Sequence, residues 1–272
     1  MTYQVRHSAM HLCFLLSVVL SCSASADLTG LWKFDDPNNL GLATVGTDLA
    51  LTGVSTPISG IDGVGGADVA AEVGDSSYYT VPHGIAPNGG GTFANQYTLL
   101  MDINYPDSSA GNWLSLYQTN TGNSNDGDLF IRDSDEAVGL AALGGYSTNT
   151  TQSDTWYRVV LSVNNGVDRS VYVNGEQWLD GNTGSIDDRH SLDPVFLLFA
   201  DENGDEDPIH ISNLATWDET LNASAIAALG GPSSEGVIIP EVGPLTLRVN
   251  GGTGAATITN GSSYTNVLSN SA

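Results

Sequence analysis

The sequence predicts an all-β fold: a two-sheet antiparallel β-sandwich of jelly-roll order, with one short helix near its C-terminal end. Three observations predict it. Apolar side chains recur at period two, as in Tyr97, Leu99, Met101 and Ile103, which alternate with Thr98, Leu100, Asp102 and Asn104. Glycine supplies 32 residues, with turn signals at short intervals. Only one segment carries both a helix start and a helix stop. Two packed sheets are the natural way for such strands to bury one face each.

The elements follow in order. After the strand at Tyr97–Ile103, Trp113–Tyr117 and Asp128–Ile131 are short strands separated by a loop rich in Asn, Gly, Asp and Ser. Trp156–Val163 and Ser170–Val173 form a pair joined through Asn164, Asn165 and Gly166. Asn174 and Gly175 begin a tight turn into Gln177-Trp178-Leu179, because Asn-Gly readily takes the positive φ that a two-residue hairpin needs. Val195–Phe199 is apolar on both faces, as a central strand with both sides covered should be. The helix is Ala223–Leu229: Asn222 is its cap, and Gly230, Gly231 and Pro232 stop it.

A boundary follows. Residues 232–244 are rich in Pro, Gly and Ser and read as a linker. Leu245–Val249 and Ala255–Thr259 flank Asn-Gly-Gly-Thr-Gly as a hairpin. A lone hairpin is marginal in water, so it either packs on the sandwich or begins a second β-domain, incomplete within 245–272. We take the second reading.

The chain opens with Arg6, a mostly apolar run from Ala9 to Leu20, and the small-x-small pattern Ala24-Ser25-Ala26. This is the grammar of a signal peptide spanning residues 1–26, cleaved after Ala26. Val19-Leu20-Ser21-Cys22 also makes an acceptable lipobox, so lipoprotein anchoring at Cys22 is the alternative. The apolar run is well short of the roughly 20 residues of a spanning helix, so the mature chain is expected to be secreted or held at the cell surface without membrane insertion. Cleavage removes both cysteines, Cys13 and Cys22, and with them disulfides and thiol chemistry. What remains keeps all 31 acidic residues and six of the seven basic ones, a formal charge of −25. That balance excludes nucleic acid and anionic lipid as partners, since both need a basic footprint.

The residues carry a family resemblance. Trp156–Val163 followed by Val171-Tyr172-Val173-Asn174-Gly175 resembles the paired-strand signature of bacterial laminin-G-like domains, in the concanavalin A-like lectin/glucanase superfamily. Ile211–Trp217, Leu221 and Ile226–Leu229 are similar to the last strand and closing helix of that group, and Gly30–Asp35 to its first strand. Residues 27–231 are covered. The resemblance implies the sandwich fold and, often, a Ca²⁺ ion at its rim. It does not imply one function, because this fold carries adhesins, sugar binders and hydrolases alike.

The acidic loop at 201–207 is the main chemical constellation. Asp201, Asn203, Asp205 and Asp207 alternate, a spacing by which a turning loop points several oxygens at one hard cation. Ca²⁺ takes six to eight such ligands, and Asp35 and Asp36 at the end of the first strand would add oxygens if they lay alongside. The loop is not an EF-hand, because Glu206 and Ser212 stand where that motif needs Gly and Glu. In so acidic a chain, a merely solvated loop explains the same residues.

Aromatic rings near Asn- and Gly-rich loops suit sugars, whose apolar faces stack on rings while their hydroxyls take hydrogen bonds. The candidates are Tyr78, Tyr79, Trp113, Tyr117 and Tyr146, each of which also fits a core position; Trp32, Trp156 and Trp217 are expected in the core. Catalytic patterns are missing. No Glu-x-Asp-x-x-Glu strand sets two carboxylates on one face, no HExxH groups His83, His190 or His210, and no G-x-S-x-G elbow occurs. The expectation is therefore a non-catalytic recognition module for a polysaccharide or a cell-surface glycan or protein, with Ca²⁺ ordering its rim, among other domains of a larger extracellular protein. A structural or adhesive spacer and a polysaccharide-active hydrolase are the alternatives.

Overall fold

The computed structural model describes residues 26–122, 126–140, 145–181, 184–200, 206–237, 245–247 and 256–258. The signal-peptide expectation therefore falls, apart from Ala26, outside the described residues. The strands are β1 (Leu28–Trp32), β2 (Ala43–Val45), β3 (Ala50–Thr52), β4 (Ser55–Ser59), β5 (Val69–Val73), β6 (Tyr78–Val81), β7 (Gln96–Asn104), β8 (Leu114–Gln118) and β9 (Asp128–Ile131). They continue as β10 (Ala137–Leu140), β11 (Gly145–Thr150), β12 (Tyr157–Asn164), β13 (Asp168–Val173), β14 (Glu176–Gly181), β15 (Phe196–Leu198) and β16 (Ile209–Trp217). Helix α1 (Ala223–Leu229) follows, then β17 (Leu245–Leu247) and β18 (Ala256–Ile258).

Two antiparallel sheets form the sandwich, as expected. One runs β14-β13-β12-β7-β16-β1-β2, with β5 also on β16 and β4 on β5; the other runs β11-β10-β9-β8-β15-β6-β3. Among the described residues, strands β17 and β18 pair only with each other. Among the described residues no helix is long and apolar enough to cross a membrane.

The alternation in β7 explains the layers. Tyr97, Leu99, Met101 and Ile103 enter the core between the sheets, where they meet Val159, Leu161 and Val163 of β12 and Leu116, Ile131 and Leu198 of the facing sheet. Leu100 points the other way, with Val160, Tyr172 and Trp217, and that second apolar face is closed by Ile226 and Leu229 of α1. The Asn222 side chain accepts from Ala225 N–H as the helix cap, and Gly230 ends the helix at φ 65°. Its two apolar residues lie three apart on one face, which is why so short a helix holds.

Trp32 is fully buried and Trp217 nearly so, as expected, but Trp156 is not a core residue. It precedes β12 and stays half-buried, with its ring 6.5 Å from that of His210. A residue just outside the strand escapes the alternation that fixes the strand's interior faces.

Candidate functional site

The outer face of the β11-β10-β9-β8 half-sheet gathers an aromatic cluster. Register sets Ser115 of β8 opposite Phe130 of β9, Phe130 opposite Gly139 of β10, and Gly139 opposite Tyr146 of β11. Leu129 and Ile131 point into the core, so Phe130 between them faces outward. Trp113, one residue before β8, meets Phe130 edge-on at 5.7 Å and Tyr146 at 6.0 Å and 66°. Both Trp113 and Tyr146 are half-buried, each with part of its ring open to solvent.

Gly139 makes this arrangement possible. A Cβ there would fall inside the envelope of the Tyr146 ring, so only glycine lets the ring lie across the strand. Arg132 lies over Tyr146, its guanidinium carbon 4.3 Å from the ring centroid. Asp135 holds that guanidinium bidentately, with Nε 2.9 Å from Oδ1 and Nη2 2.6 Å from Oδ2. The pair is exposed, so it fixes geometry more than it adds stability. Burial raises the Tyr146 phenol above its ordinary value against the pull of the Arg132 charge, so the hydroxyl stays protonated and can donate.

The five aromatic candidates separate cleanly. Trp113 and Tyr146 come together. Tyr78 is half-buried on β6, beyond β15 and β8 from the cluster. Tyr79 and Tyr117 must be corrected: both are buried. Tyr79 packs edge-on against Phe34 at 5.7 Å, and the Tyr117 hydroxyl sits 2.7 Å from that of Tyr97. Neither ring is open for a sugar to stack on. Phe130, Arg132 and Gly139 are not among the residues that the sequence singles out. The alternation Leu129-Phe130-Ile131 could have found the first, and the rarity of cations in this chain the second.

Of the proposed Ca²⁺ ligands, Asp201, Asn203 and Asp205 lie outside the described residues. Asp207 is described and half-buried. Its carboxyl is raised above the ordinary value by burial and then by the nearby charge of Asp75, against a hydrogen bond with Asn112. Asp36 instead accepts from the backbone and side-chain amides of Asn38, at 2.9 and 3.2 Å, and Asp35 is exposed. Among the described residues no group of three or more His, Cys, Asp or Glu is gathered as a metal site. Asp207 shares an end of the sandwich with Trp113, because Asn112, next to Trp113, bonds Asp207.

No protein-family model and no curated protein matches this chain. Solved structures do. A Trypanosoma rangeli sialidase in complex with 2,3-difluorosialic acid is 17% identical over 74% of this chain and 32% of its own, with a TM-score of 0.53. Domain 4 of AbnA, an extracellular GH43 arabinanase from Geobacillus stearothermophilus in complex with arabinotriose, is 18% identical over 75% of this chain and 98% of its own, at 0.52. The binding domain of Paraclostridial Mosquitocidal Protein 1 is 14% identical over 74% and 51%, also at 0.52. At such identities the likeness is one of fold, and this chain spans about a third of the sialidase. It corrects one expectation. The fold is shared with chains that belong to a sialidase and an arabinanase, so the missing Glu-x-Asp-x-x-Glu strand is no ground for setting catalysis aside.

Proposed function

We propose that this chain is a secreted, glycan-engaging β-sandwich of a carbohydrate-active extracellular protein, with Trp113 and Tyr146 as its sugar platform. The observation that carries the reading is the convergence of these two half-open rings on one sheet face, with the Arg132–Asp135 pair beside them. Stacking supplies affinity for the apolar face of a sugar ring, while a planar guanidinium and a carboxylate offer fixed donors and acceptors to its hydroxyls. The reading is supported by the sugars present in the similar structures, arabinotriose in the arabinanase domain and a difluorosialic acid in the sialidase. Laminin-G-like membership, the linker at 232–244 and the second β-domain belong to the same proposal, as does export by cleavage after Ala26.

Titration calorimetry of the pure chain with arabinotriose and laminarihexaose tests it. Binding of at least one is expected, weakened about tenfold by Trp113→Ala or Tyr146→Ala, the size of one lost anchor. Unchanged affinity in both variants would sink the platform. Ca²⁺ is proposed at the rim with Asp207 as a ligand, because a bound cation would relieve the repulsion between Asp207 and Asp75. A melting temperature that EDTA does not move, with no heat on adding Ca²⁺, would remove it.

The same pair favours a second reading, glycoside hydrolysis. Asp207, whose carboxyl is held above its ordinary value by burial and then by the Asp75 charge, would serve as the general acid, and the enzymes among the similar structures support this reading. Release of reducing ends from arabinan or laminarin, abolished by Asp207→Asn, is the result that reading requires.

A further inference from the structure

A pair of cavities lies at the end of the sandwich remote from Trp113. The chain enters β8 from Trp113 and leaves it into 119–122, and β15, antiparallel to β8, is entered from 184–194. These two segments therefore share the end remote from Trp113, where Thr119 Oγ1 donates to Arg189 O at 2.8 Å. The residues leading into β7, 82–95, meet them there, with Leu192 N donating to Ala94 O at 2.9 Å.

One cavity, of about 380 Å³, has a mainly apolar wall that includes Ile85, Pro87, Leu192 and Pro194, with His83 among its lining. The other, of about 410 Å³, is walled by polar groups including Asn120, Thr121, Arg189 and Ser191. Phe93 and Asp193 line both. Phe93 is thus a ridge between an apolar and a polar hollow, with 37% of its surface open.

That ridge is rigid. Phe93 N donates to Asp187 Oδ1 at 3.2 Å, and Phe93 O accepts from Asn88 N at 3.2 Å and Asn95 Nδ2 at 3.1 Å. Thr92 gives Asp187 three further bonds, from N to Oδ1 at 3.0 Å and to Oδ2 at 2.8 Å, and from Oγ1 at 2.9 Å. Asp187 itself stands in the left-handed region at φ 56°, with its own N–H on Asn95 Oδ1 at 2.7 Å. On the other side of the groove, His83 Nδ1 accepts from Ile85 N at 3.0 Å, so Nε2 carries the proton and donates to Asp193 O at 2.6 Å. An exposed aromatic ring on backbone fixed at both ends is a pre-organised binding surface, because little freedom is left to lose when a ligand arrives.

The charges select the ligand. Arg132, Arg158 and Arg169 each hold a carboxylate, whereas the Arg189 guanidinium has no ion pair among the described residues. Its fork is open to ligand oxygens. Asp187, Asp188 and Asp193 line the same hollows, so an anionic sugar would be repelled while a neutral one finds donors and acceptors together. We propose that the Phe93 groove is a second glycan site, which stacks a ring of a neutral oligosaccharide on Phe93 and takes its hydroxyls on Arg189, Asn120 and Ser191.

The inference extends the glycan reading but does not depend on the Trp113 platform. Affinity gel electrophoresis of the full chain separates the two, with debranched arabinan, laminarin and galactomannan as neutral probes and alginate as the acidic one. At least one neutral probe should retard the chain. Phe93→Ala and Arg189→Gln should each weaken that retardation about tenfold, with melting temperatures unchanged. If both variants run as wild type while Trp113→Ala does not, this site is overturned and the platform stands. If Phe93→Ala abolishes retardation and Trp113→Ala leaves it intact, the platform falls and this site stands. No retardation by any probe overturns both, and retardation by alginate alone overturns the neutral ligand proposed for the groove. Should Phe93→Ala prove unstable, Arg189→Gln alone decides, since its side chain holds no other described group.

Discussion

His190 shows how position converts a surface-type residue into a stability determinant. It is fully buried between the core tyrosines and the Arg169–Asp188 pair, with Nδ1 3.5 Å from the Tyr117 hydroxyl. Burial, then the charge of Arg169, pushes its pKa down to about 3 from 6.5. Between those values the unfolded chain binds a proton that the folded chain refuses. His190 therefore costs nothing above about pH 6.5 and progressively destabilises the fold as pH falls toward 3. Urea unfolding at pH 7.5 and pH 4.5 should show His190→Gln losing less stability on acidification than wild type, by on the order of 2 kcal/mol. Equal losses would show that His190 does not titrate this way. The neighbouring Tyr117 marks where the sequence misleads. Leu114 and Leu116 face the core, so simple alternation sends Tyr117 outward, but a register shift between Ser115 and Tyr117 turns its ring back in. Nothing in Leu-Ser-Leu-Tyr-Gln announces that bulge, because bulges are settled by the partner strand.

At the scale of elements, long or strongly patterned segments are legible, and so are the short apolar β8, β9 and β15, while other short strands are not. β7, β12, β13, β16 and α1 follow from their alternation, turns and caps. β2 to β6 are not legible: they are three to five residues long, too short to establish a period, and β2, β3 and β4 bury no residue fully. The platform itself depends on one element-level choice, glycine in β10. Gly139→Val should expel the Tyr146 ring and weaken sugar binding about tenfold, as Tyr146→Ala does, while melting within a few degrees of wild type, since position 139 faces away from the core. An affinity equal to that of wild type would mean that Tyr146 is not part of the platform. At the helix, Asn222→Ala removes the cap bond from Ala225 N, 3.0 Å long, and should cost about 1 kcal/mol, read as a drop of roughly 2–4 °C in Tm.

The whole molecule is tied together at Asp102 and Arg158. Arg158 Nε and Nη2 reach the two Asp102 oxygens at 2.7 and 2.8 Å, Asn213 Nδ2 adds a third donor at 3.0 Å, and Arg158 Nη1 donates to Leu229 O at 2.5 Å. One buried cluster thus joins β7, β12, β16 and the end of α1, and Arg158 Nη2 also reaches Gly236 O at 3.3 Å. Removing one partner strands a buried charge, so Arg158→Met should cost about 3–5 kcal/mol in denaturant unfolding, whereas Asp102→Leu with Arg158→Met should recover most of it. A double variant as unstable as the single would show that the bonds to Leu229 and Gly236, rather than the stranded charge, carry the effect. By itself the sequence determined the all-β class, the faces of its long strands and the closing helix, because side-chain period and capping act within a few residues. Tertiary structure decided which aromatics are open, which charges are paired, and that Phe93 stands between two hollows. Those properties depend on neighbours brought from distant parts of the chain, such as Asp187 onto Phe93 and Tyr146 onto Trp113, which no local pattern encodes.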